Sequence, residues 1–397
     1  MSQTTVVTEP VSGAPETVEV SHLRTSALPP SRLVSLDAFR GITIAGMLLV
    51  NNPGSWGHIY PPLRHAAWNG WTPTDLIFPF FVFIVGVAMT YSFGKMIERG
   101  AGRRDLLLKT AKRALLIFLV GIALHSFPWW GYDFAHLRIP GVLQRIAIAY
   151  LFAAAIYLFT NVRGQFIAIA ALLFGYWALQ TLVPVPGGYA GVLQPGLDLG
   201  AYIDRLIFTT DHLWREARTW DPEGLLSTLP AIGTALLGGL AGTWLRSGRS
   251  QLEKVAGLFV AGAAGVVLGV MWGWFFPINK GLWTSSYVIF TAALACQFLA
   301  FCYYLIDIKG YKKWATPFVI YGTNAIAAFF LSSAGARTLN LIKVGADDVA
   351  LKTYIFNNFY LSWLEPINAS LLFAITYVLF WLGIMTVLYK KKIFIKL

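Results

Sequence analysis

The chain has 397 residues, 56% of them hydrophobic and 13% charged, with a mean hydropathy of +0.60. A soluble domain carries about 25% charged residues, so a soluble enzyme is excluded, and 28 Phe, 15 Trp and 17 Tyr exclude a solvated, disordered polymer. The net charge of +12 requires a look at where Lys and Arg fall before any nucleic-acid partner is considered.

Residues 1 to 33 mix Thr, Ser, Pro, Val and Glu without periodicity, and lack a basic start followed by an apolar run and a cleavage site. They read as a disordered cytoplasmic tail with no signal peptide. A bilayer core takes about 20 apolar residues per helix. Ten such blocks follow within residues 34 to 397, near 36–53, 75–94, 107–127, 139–160, 165–183, 225–245, 255–276, 284–306, 315–333 and 365–389. They predict an all-α fold, a polytopic membrane helix bundle of about ten transmembrane helices. Pro79 predicts a kink one turn into the second block. Gly238 and Gly242, four apart, permit close helix packing. The run YIFNNFYL at 354–361 reads as an interfacial or re-entrant piece, because a further crossing there would carry Lys390, Lys391 and Lys392 to the outer side. Cys296 and Cys302 share one block on different helix faces and imply neither a disulfide nor a thiol metal site; no metal is expected.

With the amino terminus inside, about two thirds of the 31 Lys and Arg lie in cytoplasmic segments, which places both termini in the cytoplasm and makes nucleic acid an unnecessary explanation of the charge. Outer loops then fall near 54–74, 128–138, 184–224 and 334–364. They hold His58, His65, His125, His136 and His212 together with Asp133, Asp221 and Glu223. A pocket with catalytic side chains is expected to open outward.

Five stretches carry the chemistry. In SLDAFRGITIAGMLLVNN, Asp37 and Arg40 are three apart and can pair, and Asn51 ends the span with an amide able to donate to an oxyanion. In LRHAAWNGWTPTDLIFPFF, a helical turn would set His65 and Asn69 on one face beside Trp68 and Trp71. Thr72 or Thr74 can cap the helix that starts near Asp75, whose carboxylate suits its positive end or a substrate amine. An acyl transfer needs a base and donors for the tetrahedral oxygen; His65 with Asn51 and Asn69 supplies both.

In HLRIPGVLQRIAIAYL, Arg138, Gln144 and Arg145 lie at or within the fourth span. Arg145 inside an apolar run either pairs with an acid such as Asp37 or Asp133 or holds a phosphate. TWDPEGLLSTLP places Asp221 and Glu223 ahead of a helix that they can cap. PINKGLWTSSYVIF sets Asn279, Lys280 and Ser285 in an outer loop, where Lys280 can hold an anion. Asn324 is a membrane-buried amide in need of a partner.

These motifs, in this order and over nearly everything after the tail, resemble the heparan-alpha-glucosaminide N-acetyltransferase family and its bacterial relatives. The resemblance implies a polytopic enzyme that takes acetyl-CoA from the cytoplasmic side and acetylates an amino sugar on the other face of the membrane, with His65 as catalytic base or acetyl carrier, Asn51 and Asn69 as the accompanying amides, and a homodimeric assembly. Under this reading the phosphates of CoA fall to Arg138, Gln144, Arg145, Asn279, Lys280 and Ser285, and the sugar to Trp68, Asp75, Asp221 and Glu223. The large lumenal domain of the animal lysosomal enzymes has no counterpart before the first span, and the stretch from Asn51 to His65 is slightly longer. A bacterial cytoplasmic membrane is the expected location. The alternative is an N-acetylglucosamine transporter, against which the acids stand at span ends and not at mid-span.

Overall fold

A computed structural model describes residues 33 to 395; the tail expected over 1 to 33 lies, apart from Leu33, outside the described residues. In order the chain forms α1 (Val34–Asn51), α2 (Pro73–Glu98), α3 (Arg103–His125), α4 (Val142–Phe159), α5 (Val162–Leu182), α6 (Leu199–Phe208), α7 (Thr228–Leu245), α8 (Gln251–Gly273), α9 (Ser285–Cys302, prolonged by a π-helical turn Tyr303–Ile308), α10 (Thr316–Thr323), α11 (Ala325–Leu341), α12 (Leu351–Phe356, followed by a π-helical turn Asn357–Leu361) and α13 (Pro366–Lys390). One two-residue hairpin pairs Lys343–Val344 with Val349–Ala350. Apolar runs of this length satisfy their own backbone groups only as helices when water is absent.

Among the described residues eight helices are long and apolar enough to cross a membrane, or nine with α10 and α11 taken as one broken span. The chain is thus a multi-pass membrane protein. Of the ten expected spans, that over 107–127 falls short because α3 opens with Arg103, Arg104, Lys109, Lys112 and Arg113. The span expected over 315–333 corresponds to a pair of helices, α10 and α11, bent by 85°. Asn324 sits at the break, donating to the carbonyl of Ile393 at 3.0 Å and accepting from the N–H of Ile395 at 2.8 Å, so the carboxy-terminal chain supplies the partner that a buried amide requires. The YIFNNFYL run forms α12 and its π-helical turn, too short to cross a bilayer.

α2, α4 and α7 form the centre of the bundle with α1, while α5, α8 and α13 lie outside it and expose apolar faces such as Val260, Leu268, Leu379 and Phe380. α2 meets α7 backbone to backbone. A Cβ placed on Gly238 would stand 2.0 Å from the carbonyl oxygen of Phe83, so only glycine permits this crossing. α2 also runs unbroken through Pro79, where the expected kink does not interrupt the helix. Proline offers no N–H to the carbonyl of Asp75, and the hydroxyl of Tyr287 on α9 donates to it at 2.5 Å. That bond ties the start of α2 to α9 at the end of the bundle where the loops 52–72, 183–227 and 274–284 gather.

Candidate active site

The site begins with the local chemistry of the α2 start. Thr72 donates its backbone N–H to Asp75 Oδ2 at 3.0 Å as part of a capping box, and its hydroxyl to the Arg64 carbonyl at 2.6 Å. The N–H of Ala66 adds a second bond to the same Asp75 oxygen at 3.0 Å. Oδ1 is left facing His65, whose Nδ1 lies 2.6 Å away. The carboxylate is buried, at 1% side-chain exposure, whereas the imidazole stays half open at 47%. Asp75 therefore caps the helix and contacts His65 at the same time.

His65 and Asn69 do not share a helical turn, since residues 64 to 72 form an irregular loop. The loop is instead stitched to the one between α8 and α9. Gly70 N–H donates to Ile278 at 2.7 Å, and the Asn279 amide donates to Asn69 Oδ1 at 3.1 Å while accepting from Leu282 N–H at 2.8 Å. This docking carries Lys280 onto His65, with Nζ 3.1 Å from both ring nitrogens and 3.9 Å from Asp75 Oδ1. An atom equidistant from both nitrogens avoids the carbon between them only by standing over the ring face. The Nε2 lone pair in the ring plane is thus left for another partner. Burial pushes the Lys280 pKa below its ordinary value, with Asp75 and Glu223 opposing. Trp283, which closes the Lys280 turn, is held at φ 52°, a strained conformation for a bulky residue.

A cleft of about 390 Å³ opens beside this pair, lined by Asn51, His65, Trp68, Asp75, Arg138, Glu223 and Lys280 among others. Of the histidines in the outer loops, His65 alone lines it. His136 pairs with Asp133 at 2.5 Å on the surface, and His125 and His212 bind backbone carbonyls. Trp214 and Trp220, which sequence reasoning did not select, complete an aromatic wall: Trp68 and Trp220 meet edge to face with centroids 5.0 Å apart, and Trp214 and Trp220 at 5.6 Å. The signal was present in the WDPEG motif, where Trp220 precedes Asp221.

The residues assigned to CoA separate into two groups. Arg138 and Lys280 line the cleft. Arg138, however, is already engaged, forking onto both oxygens of Asp221 (2.8 and 2.7 Å) and onto Glu223 (2.6 Å). Burial works against its charge, but Glu223 and Asp221 raise its pKa above the ordinary value, so it stays cationic and neutralised. Asp221 and Glu223 accordingly hold Arg138 instead of capping α7, whose N-cap is Ser227.

Gln144, Arg145, Asn279 and Ser285 are buried and do not line the cleft. Arg145 pairs with neither Asp37 nor Asp133; it donates to the Ser227 hydroxyl and to the Gly224 carbonyl and rests over the Trp283 ring at 4.9 Å. Gln144 approaches His125 Nδ1 at 3.5 Å, and the Ser285 hydroxyl donates to Leu173 at 2.7 Å. Helix rotation decides this for the helical groups: Gln144 turns toward α3, Arg145 toward the 219–227 loop and Ser285 toward α5. The Asp37 and Arg40 pair expected near the start of α1 is present at 3.2 Å.

Fold and site together define a multi-pass helical membrane protein with a carboxylate-oriented histidine in a cleft at one end of its bundle. Residues 32 to 261 match the family model described as heparan-alpha-glucosaminide N-acetyltransferase, catalytic, and the chain belongs to that family. It is 32% identical to the heparan-alpha-glucosaminide N-acetyltransferase of Homo sapiens over 98% of its own length and 63% of the human protein, and 31% identical to that of Mus musculus over 92% and 61%. The chain therefore spans somewhat under two thirds of these curated relatives.

Proposed function

We propose that this protein is a transmembrane acetyltransferase that moves acetyl from acetyl-CoA to the amine of a glucosamine-type sugar at the outer face of a bacterial cytoplasmic membrane. The observation that carries the reading is the 2.6 Å contact between His65 Nδ1 and the buried Asp75 carboxylate. With Nδ1–H donated to Asp75, Nε2 presents its lone pair to the cleft as a general base. The amine nitrogen attacks the thioester carbonyl, the carbon–sulfur bond breaks, and the amine proton passes to Nε2 and from there to the departing thiolate. Asn51 donates to the oxygen that becomes negative, and Lys280 brings positive charge to the same cleft. Asn69, bonded to Asn279, positions the His65 loop. Trp68 and Trp220 offer flat apolar faces to a sugar ring.

Under this proposal the end of the bundle bearing Lys95 to Arg113, Arg246 to Lys254 and Lys390 to Lys392 faces the cytoplasm with both termini, and the protein works as a homodimer. The amino-sugar acceptor follows the names of the human and mouse relatives.

The test is release of free CoA when proteoliposomes receive acetyl-CoA and glucosamine. Release abolished by His65→Ala supports the reading; undiminished release with His65→Ala defeats it. The 85° break at Asn324 favours a second reading, transport of N-acetylglucosamine, because discontinuous helices recur in transporters. Uptake of labelled N-acetylglucosamine without any acetyl donor would establish that reading.

A further inference from the structure

A second cavity, about 560 Å³, lies on the other side of the α1–α2 seam from the cleft. Its wall is apolar, with Ile42 and Gly46 on α1, Leu76 and Phe80 on α2, and Leu294 and Phe298 on α9. Two polar residues also line it, Thr43 and Gln297, and the Thr43 hydroxyl is turned away to the Arg40 carbonyl at 2.6 Å. All these residues lie on helices long and apolar enough to span a membrane.

The two cavities flank the same turn of α2. Thr74 and Asp75 face the cleft, Pro73 and Leu76 face the groove, and Ile77 lines both. Opposite Ile77 stands Gly46, where a Cβ would come within 3.2 Å of Ile77 Cδ1, so only glycine leaves that side chain its room. The polar, aromatic-walled site and the apolar groove thus meet at one isoleucine beside one glycine. From Gly46 the groove descends along α1 to Phe39, about 10 Å at 1.5 Å per residue.

A free sugar has no use for such a channel, whereas a sugar joined to a hydrocarbon chain has a use for both cavities at once. We infer that the acceptor is a lipid-linked amino sugar, its ring in the His65 cleft and its hydrocarbon chain in the α1–α2–α9 groove. The inference rests on the acetyltransferase reading and names its substrate class.

The experiment compares three acceptors in proteoliposomes with acetyl-CoA: glucosamine, methyl glucosaminide and octyl glucosaminide. The expected result is a kcat/KM for the octyl compound at least about tenfold above the other two, the hydrocarbon contribution being proportional to the chain buried. Leu294→Trp, which fills the groove from α9, should remove that advantage and leave glucosamine turnover unchanged, and Thr43→Leu should do the same from α1. Equal kcat/KM for methyl and octyl compounds overturns the inference. An octyl advantage that survives both groove variants also overturns it, since it would come from membrane partitioning with a bilayer lipid alone in the groove. Absence of CoA release with every acceptor fails the acetyltransferase reading itself, which is a different outcome from either.

Discussion

Replacing Asp75 by Asn probes the proposed chemistry most directly, because the two carboxylate oxygens have different partners. Oδ2 accepts from the N–H groups of Ala66 and Thr72, each at 3.0 Å, and Oδ1 faces His65 Nδ1. An asparagine must keep its single carbonyl oxygen where two backbone donors converge, since leaving both unmet costs about 1–3 kcal/mol each. Its NH2 then points at Nδ1 and donates to it. The imidazole proton is driven to Nε2, and the lone pair that should take the amine proton is gone. Folding suffers little, losing about 1.5 kcal/mol for one charge-assisted bond. Turnover suffers greatly: the same exchange behind a catalytic histidine in a serine protease lowers kcat by about 10⁴. CoA release by Asp75→Asn should therefore fall by about three to four orders of magnitude with thermal unfolding in detergent nearly unchanged. Activity retained above about a tenth of the unsubstituted level, in a folded variant, would refute the tautomer argument.

Three further outcomes are expected. Gly238→Ala pushes a methyl into the Phe83 carbonyl and forces α2 and α7 apart, lowering thermal stability by about 1–3 kcal/mol or more, read as an earlier unfolding transition. Arg138→Ala leaves the buried carboxylates of Asp221 and Glu223 without their partner and should destabilise by about 3–5 kcal/mol, with Asp221→Asn in the same background recovering part of the loss. Burial raises the Asp204 pKa to about 7 from 3.8, against the bond from Leu225 N–H. The folded protein keeps this proton to near neutrality while the unfolded chain releases it near 3.8. Stability from this group is thus present at low pH and is lost as pH rises between those values. Asp204→Asn should flatten that part of the pH–stability profile and unfold later than the parent at pH 8; an unchanged profile would contradict the shift.

The helical architecture was legible along the chain because hydropathy summed over about 20 residues is a local property that the bilayer reads directly. For the same reason the collection of His65, Asn51, Trp68 and Lys280 at one end of the bundle followed from where the apolar blocks stop. The capping role of Asp75 was also legible, since Thr72 lies three residues before it. What the linear order did not disclose were partners. Lys280 meets His65 across 215 residues, and Asp75 turns its second oxygen to a histidine ten positions back, through a loop with no periodicity to read. Arg145, Gln144 and Ser285 show the converse. Their polarity marked them as exceptional in apolar helices, but whether a side chain faces a cleft or a neighbouring carbonyl depends on how its helix is rotated in the bundle, and that rotation is set by distant contacts such as Gly238 on Phe83 and Tyr287 on Asp75. The sequence by itself determined that the chain enters a membrane and which residues gather at its site-bearing end. Tertiary packing alone decided which of them meet, because directional contacts of a few ångströms depend on helix rotation and loop docking that no local window contains.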